Sequence, residues 1–536
     1  MSDVRKKNET PKGVAAAATS EWTPSFNPWL IATSVMLATF MEVLDTSVAT
    51  VALPHIAGSL SATVDESTWV LTSYLISNAI VLPSSNWLGN FFGRKNYLLF
   101  SVALFTASSG LCGLATSLPM LVAARVIQGA AGGGLQPVAQ AILLESFPKE
   151  KRGPAMAAYG MGIIVAPLLG PVVGGWITDS YSWRWIFYIN LPVGFVALLM
   201  ISMFVEDPPY IGRHRTSRID LIGLGFLAIW LATLQVVLDK GQEVDWFSAE
   251  WLRWFVLVSV LAMIAFVIRE LSTDSPLVSL RVLKDRNLAV GTFLIGLIGV
   301  VIYGTTALMP LFLQDLLGYP ALQSGIAVAP RGIGAILSML IAALLVGRVD
   351  SRLLITFGIF IRAVSLFMLG SLTLSVSMTN VIWPNVINGF ANGFLFVPLT
   401  TTTMQTLPNE WTGGGTALYN LMRNMGASFG ISMVTTMLAR DAQRHQAMMI
   451  GHVTPYSIAS RNWLQSATAF LALHGNAVTA RQRALDLLYQ IVVQQANLWA
   501  YVDDFRLLGY LTLICIPFLF LFRGSGKSRR RGGVHV

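Results

Sequence analysis

The sequence predicts an all-α polytopic membrane protein with fourteen transmembrane helices. Three observations carry this. Of 536 residues, 54% are hydrophobic and only 12% are Asp, Glu, Lys or Arg, about half the charge of an average soluble domain. The apolar residues come in blocks of about twenty, the length of a helix that crosses a bilayer core. Basic residues gather in every second gap between blocks. The same numbers exclude a soluble enzyme and a single-span receptor with a large domain.

Residues 1–28 form a polar N-tail without the apolar core or cleavage site of a removable signal, so the first apolar block must target the chain. Spans are expected near 29–53, 68–89, 97–116, 120–146, 154–178, 185–205, 219–239, 251–270, 289–317, 324–347, 352–374, 382–406, 413–439 and 504–523. The even number places both tails on one side. That side holds 23 Lys and Arg in the tails and alternate short loops, against three (Arg184, Lys240, Arg253) on the other. By the positive-inside rule both termini are cytoplasmic. Because the net charge of +9 is spread over every inner loop, no nucleic-acid surface is expected. Residues 524–536 form a basic C-tail.

The exception is an outer loop at 440–503. Within it, 480–501 has apolar residues at helical spacing but is too polar to span. It reads either as a helix capping the bundle or as a docking site for an extracytoplasmic partner.

Ionisable groups deep in the spans are costly and mark cavities. They are Glu42 and Asp45 in span 1, Arg125 in span 4, Arg331 and Arg362 in spans 10 and 11, and Arg423 in span 13. Glu42 and Asp45, three apart, share one helix face. At about 1.5 Å rise per residue, Asp45 lies about 13 Å and Arg125 about 9 Å from the outer ends of their helices, with Gln128 level with Asp45. They can pair if their helices are neighbours. Asp45 is therefore the candidate exchangeable proton site, Glu42 the second candidate, and a static salt bridge the alternative. Arg331 and Arg362 are expected to snorkel from helix ends.

Small residues four apart allow close helix approach, and the spacing recurs at Gly129/Gly133, Gly170/Gly174, Gly389/Gly393 and Gly426/Gly430. Residues 426–430 fit the nucleophile pattern GxSxG, but that elbow needs a strand before it and these residues are mid-helix. No P-loop, HExxH or paired CxxC occurs. Cys112 and Cys515 lie in apolar runs without metal or disulfide spacing. Neither catalysis nor a bound cofactor is expected.

Four stretches in order then form a recognisable set: LDTSVATVALP (44–54), LVAARVIQGAAGG (121–133), GPVVGG (170–175) and NLMRNMGASFGIS (420–432). The chain resembles the 14-span drug:proton antiporters of the major facilitator superfamily, of the EmrB/QacA type, and looks most like the EmrB-like multidrug exporters. The loop after span 2 departs from the family pattern. NWLGNFFGRK (86–95) keeps Gly93, Arg94 and Lys95 but has Asn90 and Phe91 where an acid and an arginine are usual.

The resemblance implies a major facilitator fold of six, two and six helices: a bundle over 29–205, two extra spans over 219–270 and a second bundle over 289–523. The bundles rock about a central site. It assigns proton coupling to Asp45 and Arg125, the outward-closed contact to Gly170, Pro171, Gly174 and Gly175, and gating to Gly93, Arg94 and Lys95. The proton is the coupling ion, and the location is the bacterial inner membrane. It also implies a periplasmic membrane-fusion adaptor and an outer-membrane channel as partners. Tyr74, Asn78, Gln128, Gln136, Asn388, Asn392, Asn420, Arg423 and Asn424 are the expected cavity lining for hydrophobic or amphipathic toxic compounds. The alternatives are export of one endogenous metabolite or lipid, proton-coupled uptake, or a membrane sensor or channel.

Overall fold

The computed structural model of the protein describes residues 24–209, 220–273, 276–278, 280–454, 456–474 and 477–523. Most of the N-tail, all of the C-tail and the basic residues Arg213, Arg215 and Arg218 therefore lie outside the described residues. The chain is built of helices, and the described residues contain no strand.

Each apolar block falls on a helix. The first half comprises α1 (Pro28–Ser59), α2 (Trp69–Phe92), α3 (Arg94–Gly113), α4 (Leu118–Gly132), α5 (Leu135–Ser146), α6 (Arg152–Ser180) and α7 (Asn190–Phe204). A pair follows, α8 (Leu221–Lys240) and α9 (Glu250–Ser272). The second half comprises α10 (Arg286–Leu311), α11 (Pro330–Leu345), α12 (Ser351–Leu369), α13 (Met378–Met404), α14 (Asn409–Ile450), α15 (Ile458–His474) and α16 (Ala477–Leu519). Ten helical stretches among the described residues are long and apolar enough to cross a membrane. The more polar α2, α13, α14 and α16 fall outside that set. Exposed Trp176, Phe195, Leu344 and Phe360 give the outer surface the apolar character of a multi-pass membrane protein.

Local chemistry sets the ends. Asn27 accepts from Trp29 N–H (3.0 Å), Asp220 from Gly223 N–H (3.0 Å), Asp285 from Leu288 N–H (2.8 Å) and Asp350 from Arg352 N–H (2.9 Å). Each satisfies a donor that the first helical turn leaves open. Asp220 also pairs with Arg269 (2.9 Å), tying α8 to α9. The expected span 120–146 is interrupted at Gly133–Gly134, between α4 and α5. A Cβ at Gly133 would meet the backbone nitrogen of Leu82 at 3.1 Å, so α2 packs directly on this break.

Helix pairing repeats in the two halves. In the first, α1 packs on α6, α2 and α3 on α4, and α3 on α7; in the second, α10 packs on α14, α11 and α12 on α13, and α12 on α16. The halves meet where α2 and α5 touch α14, and where α6 touches α11 and α13; α8 docks on α2 and α14.

The stretch expected as a loop at 440–503 is helical almost throughout. It contains the end of α14, all of α15 and the first half of α16. At 42 and 43 residues, α14 and α16 are each about 63 Å long, beyond the roughly 45 Å of a whole bilayer. His445 near the end of α14 is tied to Asp503 in the middle of α16 (2.8 Å), and α15 packs along α16.

Candidate functional site: a buried polar axis

Asp45 on α1 is buried and accepts from three side chains. Arg125 Nη1 donates to Oδ2 (2.6 Å), while Gln128 Nε2 (3.1 Å) and Asn190 Nδ2 (2.7 Å) donate to Oδ1. Arg125 is fully buried. It also donates to Gln128 Oε1 (2.8 Å) and to the Val70 carbonyl (3.0 Å), and its guanidinium stacks 4.2 Å from the Tyr74 ring. Arg125 and Gln128 reach the same carboxylate because they are one turn apart on α4. Asn190 is in turn joined to Ser109 Oγ (2.9 Å) on α3. A charge pair removed from solvent needs such added hydrogen bonds to offset desolvation.

One turn along α1, Glu42 Oε1 accepts from Asn78 (3.2 Å) and Gln136 (3.3 Å), while Oε2 is buried without a partner. Gln136 Oε1 accepts from Arg423 of α14, so a chain of polar contacts runs from Glu42 into the second half. Asn420 extends this seam, donating to Gln140 Oε1 (2.6 Å), as does Thr416 to the Pro137 carbonyl (3.1 Å). Arg152 reaches Asn409 (3.3 Å) at its end. Asn424 is half-buried and joins neither network.

The other half holds two further buried arginines. Arg362 on α12 is fully buried and donates to Asn392 Oδ1, while Arg331 on α11 donates to Thr306 Oγ1 (3.0 Å). Neither snorkels. Asn388 is buried a turn from Asn392.

The glycine motif is a close contact between α6 and α1. A Cβ at Gly170 would strike Ser47, side chain and backbone, and one at Gly174 would lie 3.2 Å from the Val48 carbonyl, whereas Gly175 has open space. The side chain of Pro171 lies outside the described residues.

At the α2–α3 turn, Gly93 has φ +87° and a Cβ there would collide with the Asp207 carboxylate. Asp207 accepts from Lys95 N–H (2.8 Å), capping α3 from beyond α7. Arg94 forms a buried ion pair with Glu145 of α5, and Lys95 Nζ donates to the Ser202 carbonyl (2.7 Å). Phe91 stacks on Trp87 at 4.9 Å, and Asn90 donates to Asn86 (3.4 Å). An aromatic stack thus stands where charges are usual in this loop, and Asp207 brings a carboxylate to the turn from outside it.

Sequence reasoning missed Asn190, Ser109, Glu145 and Asp207. Asn190 alone carried a signal, as a lone amide among the apolar residues of span 6.

Residues 35–431 match the Major Facilitator Superfamily. The chain is 37% identical over 505 residues to the multidrug export protein EmrB of Escherichia coli (strain K12), covering 94% of this chain and 97% of that protein. It is also 37% identical to EmrB of Haemophilus influenzae over 443 residues, 82% of this chain and 86% of that one. Among solved structures, the proton:xylose symporter XylE superposes with a TM-score of 0.59 at 16% identity, over 93% of this chain and 96% of that one, which shows a shared fold alone. The chain belongs to the major facilitator superfamily and, within it, to the EmrB-type multidrug export proteins.

Proposed function

We propose that the protein exports hydrophobic or amphipathic toxic compounds across the bacterial inner membrane in exchange for protons. It does so through fourteen spans with both termini in the cytoplasm. The observation that carries the coupling is the charge pair at the centre of the first half, Asp45–Arg125 at 2.6 Å, sealed from solvent and wired to three helices. A proton arriving at Asp45 converts the carboxylate to a neutral acid and removes the charge attraction. Arg125 keeps its hydrogen bonds to Val70 and Gln128, and α1 is released from α4 and α7. Because α1 also packs on α6 through Gly170 and Gly174, that release reaches the helix that meets the second half.

The polar contacts between halves run from Arg423–Gln136 to Arg152–Asn409, along α5 and the first third of α14, the cytoplasmic half in this orientation. This supports an outward-facing arrangement closed at the inside. The projecting ends of α14 and α16 with α15 form the periplasmic platform on which an adaptor leading to an outer-membrane channel would sit.

The test is purified protein in proteoliposomes carrying a pH-sensitive dye. Addition of an exported compound should release protons from the lumen in the wild type and not in Asp45→Asn, which should retain substrate counterflow. Proton-independent conductance, or uphill export by Asp45→Asn at wild-type rate, would overturn the reading.

A further inference from the structure

The two fully buried arginines among the described residues are solvated differently. Arg125 faces a carboxylate. Arg362, equally buried, faces the Asn392 amide oxygen, and its Nε and Nη1 have no partner. Among the described residues neither Arg362 nor Arg331 is in an ion pair. Arg331 is close enough to repel Arg362. Its backbone carbonyl abuts Gly389 of α13, beside Asn388. Asn388 is fully buried with both amide atoms unpartnered.

An unpaired buried charge is among the costliest arrangements in a membrane protein, and a buried amide without partners adds about 1–3 kcal/mol. Here both occur on facing sides of α12 and α13. The open groups are mostly donors: two from the guanidinium and one from the Asn388 amide. Asn388 and Asn392, four apart, lie on one face, about 5–6 Å between Cβ atoms. A set of donors with excess positive charge is matched by an anion with several acceptor oxygens.

We propose that Arg362, Asn388 and Asn392, with Arg331 beside them, form a subsite in the second half that takes the carboxylate of an anionic amphipathic substrate. This rests on the efflux reading and names the class of its cargo. The apolar part of the cargo extends toward the interface between halves, where Phe396 of the same helix as Asn388 and Asn392 meets Gly160 of α6. The division of labour is that the first half holds its carboxylate internally, at Asp45, and the second half receives one from outside.

The test uses full-length protein in neutral detergent, titrated with dansyl-undecanoic acid and with its methyl ester. The wild type should bind the acid about tenfold or more tightly than the ester, the worth of a charge-assisted hydrogen bond. Arg362→Gln and Asn388→Leu should each lose that preference while still binding the ester, and Arg362→Lys should retain part of it. Equal binding of acid and ester by the wild type overturns the subsite. So does a parallel loss of both ligands in every variant, the mark of arginines that only brace helices. Competition by phosphatidylglycerol that removes the acid preference assigns the subsite to a lipid headgroup and overturns the cargo assignment. Proton-driven export of the methyl ester from proteoliposomes is measured alongside. Its absence in the wild type brings down the efflux reading, whereas its presence without acid preference brings down the subsite alone.

Discussion

Asn190 Nδ2 donates to Asp45 Oδ1 at 2.7 Å, and both side chains are buried. This bond brings a helix near the end of the first half to a carboxylate on the first helix. Replacing Asn190 with Leu leaves Oδ1 with Gln128 as its remaining side-chain donor. Loss of a buried hydrogen bond to a charged group costs about 1.5–3 kcal/mol. The thermal midpoint of the purified protein should fall, and compound-driven proton release should weaken, whereas Asn190→Asp should weaken it further by setting two carboxylates together. An Asn190→Leu protein with unchanged midpoint and proton release would show that Asp45 does not depend on this bond.

Arg423 is the place to test closure between the halves. It donates to Gln136, which donates to Glu42, so Arg423→Leu removes one link and leaves Gln136 Oε1 bare. A loss of about 1–3 kcal/mol from a single conformation shifts populations by about fivefold to more than a hundredfold. Spin labels at the exposed Glu150 and Glu410 positions should report a broader and longer distance distribution in Arg423→Leu than in wild type. An unchanged distribution means that Asn420–Gln140 and Thr416–Pro137 hold the seam by themselves.

The Asp45–Arg125 meeting was legible because depth follows from residue count once a helix is assumed, and Asp45, Arg125 and Gln128 fall near one level. Neighbour relations were not legible, because hydropathy says how far a residue lies from a helix end and nothing of which helix faces it. Glu145 and Asp207 were hidden for that reason, as partners of Arg94 and Lys95 that lie distant in sequence. Arg331 and Arg362 were misjudged because a long basic side chain near a helix end ordinarily reaches water. Here Thr306 and Asn392 of adjacent helices hold them inside. The stretch 440–503 looked like a loop because its polar residues interrupt the apolar block. A helix satisfies its own backbone, so α14 and α16 continue past the apolar residues where α15 and their mutual packing support them.

Asp207 makes a pH-dependent contribution whose sign is fixed. Burial raises its carboxyl above the ordinary value of 3.8, against the opposing pull of Lys95 N–H and the Arg94 and Lys95 charges. The folded state therefore holds the proton more readily than the unfolded one. This contribution is fully present below the unfolded value and is lost as pH rises through the raised folded one. Asp207→Asn keeps an oxygen for Lys95 N–H and cannot titrate. Its thermal midpoint should vary less with pH over that window and should equal or exceed wild type at neutral pH. Asp207→Leu, lacking the cap, should lose about 1 kcal/mol at every pH. Identical pH profiles for wild type and Asp207→Asn would refute the assignment.

Gly170 and Gly175 belong to one sequence motif but meet different surroundings. A Cβ at Gly170 would run into Ser47, whose Oγ already donates to the Pro167 carbonyl at 3.1 Å, so neither the side chain nor the α1 backbone can yield easily. Overpacking of this kind costs about 1–3 kcal/mol. At Gly175 a methyl group enters open space, and Ala is favoured over Gly in a helix by about 1 kcal/mol. Gly170→Ala should therefore lower both the midpoint and export of the methyl ester, and Gly175→Ala should leave the midpoint equal or higher. Export by Gly175→Ala then separates two roles for the motif. Wild-type export means that the α1–α6 contact at Gly170 and Gly174 is what the cycle needs. Lost export in an equally stable protein means that Gly175 is the close-packed glycine of another conformation, reached when α6 swings against the second half.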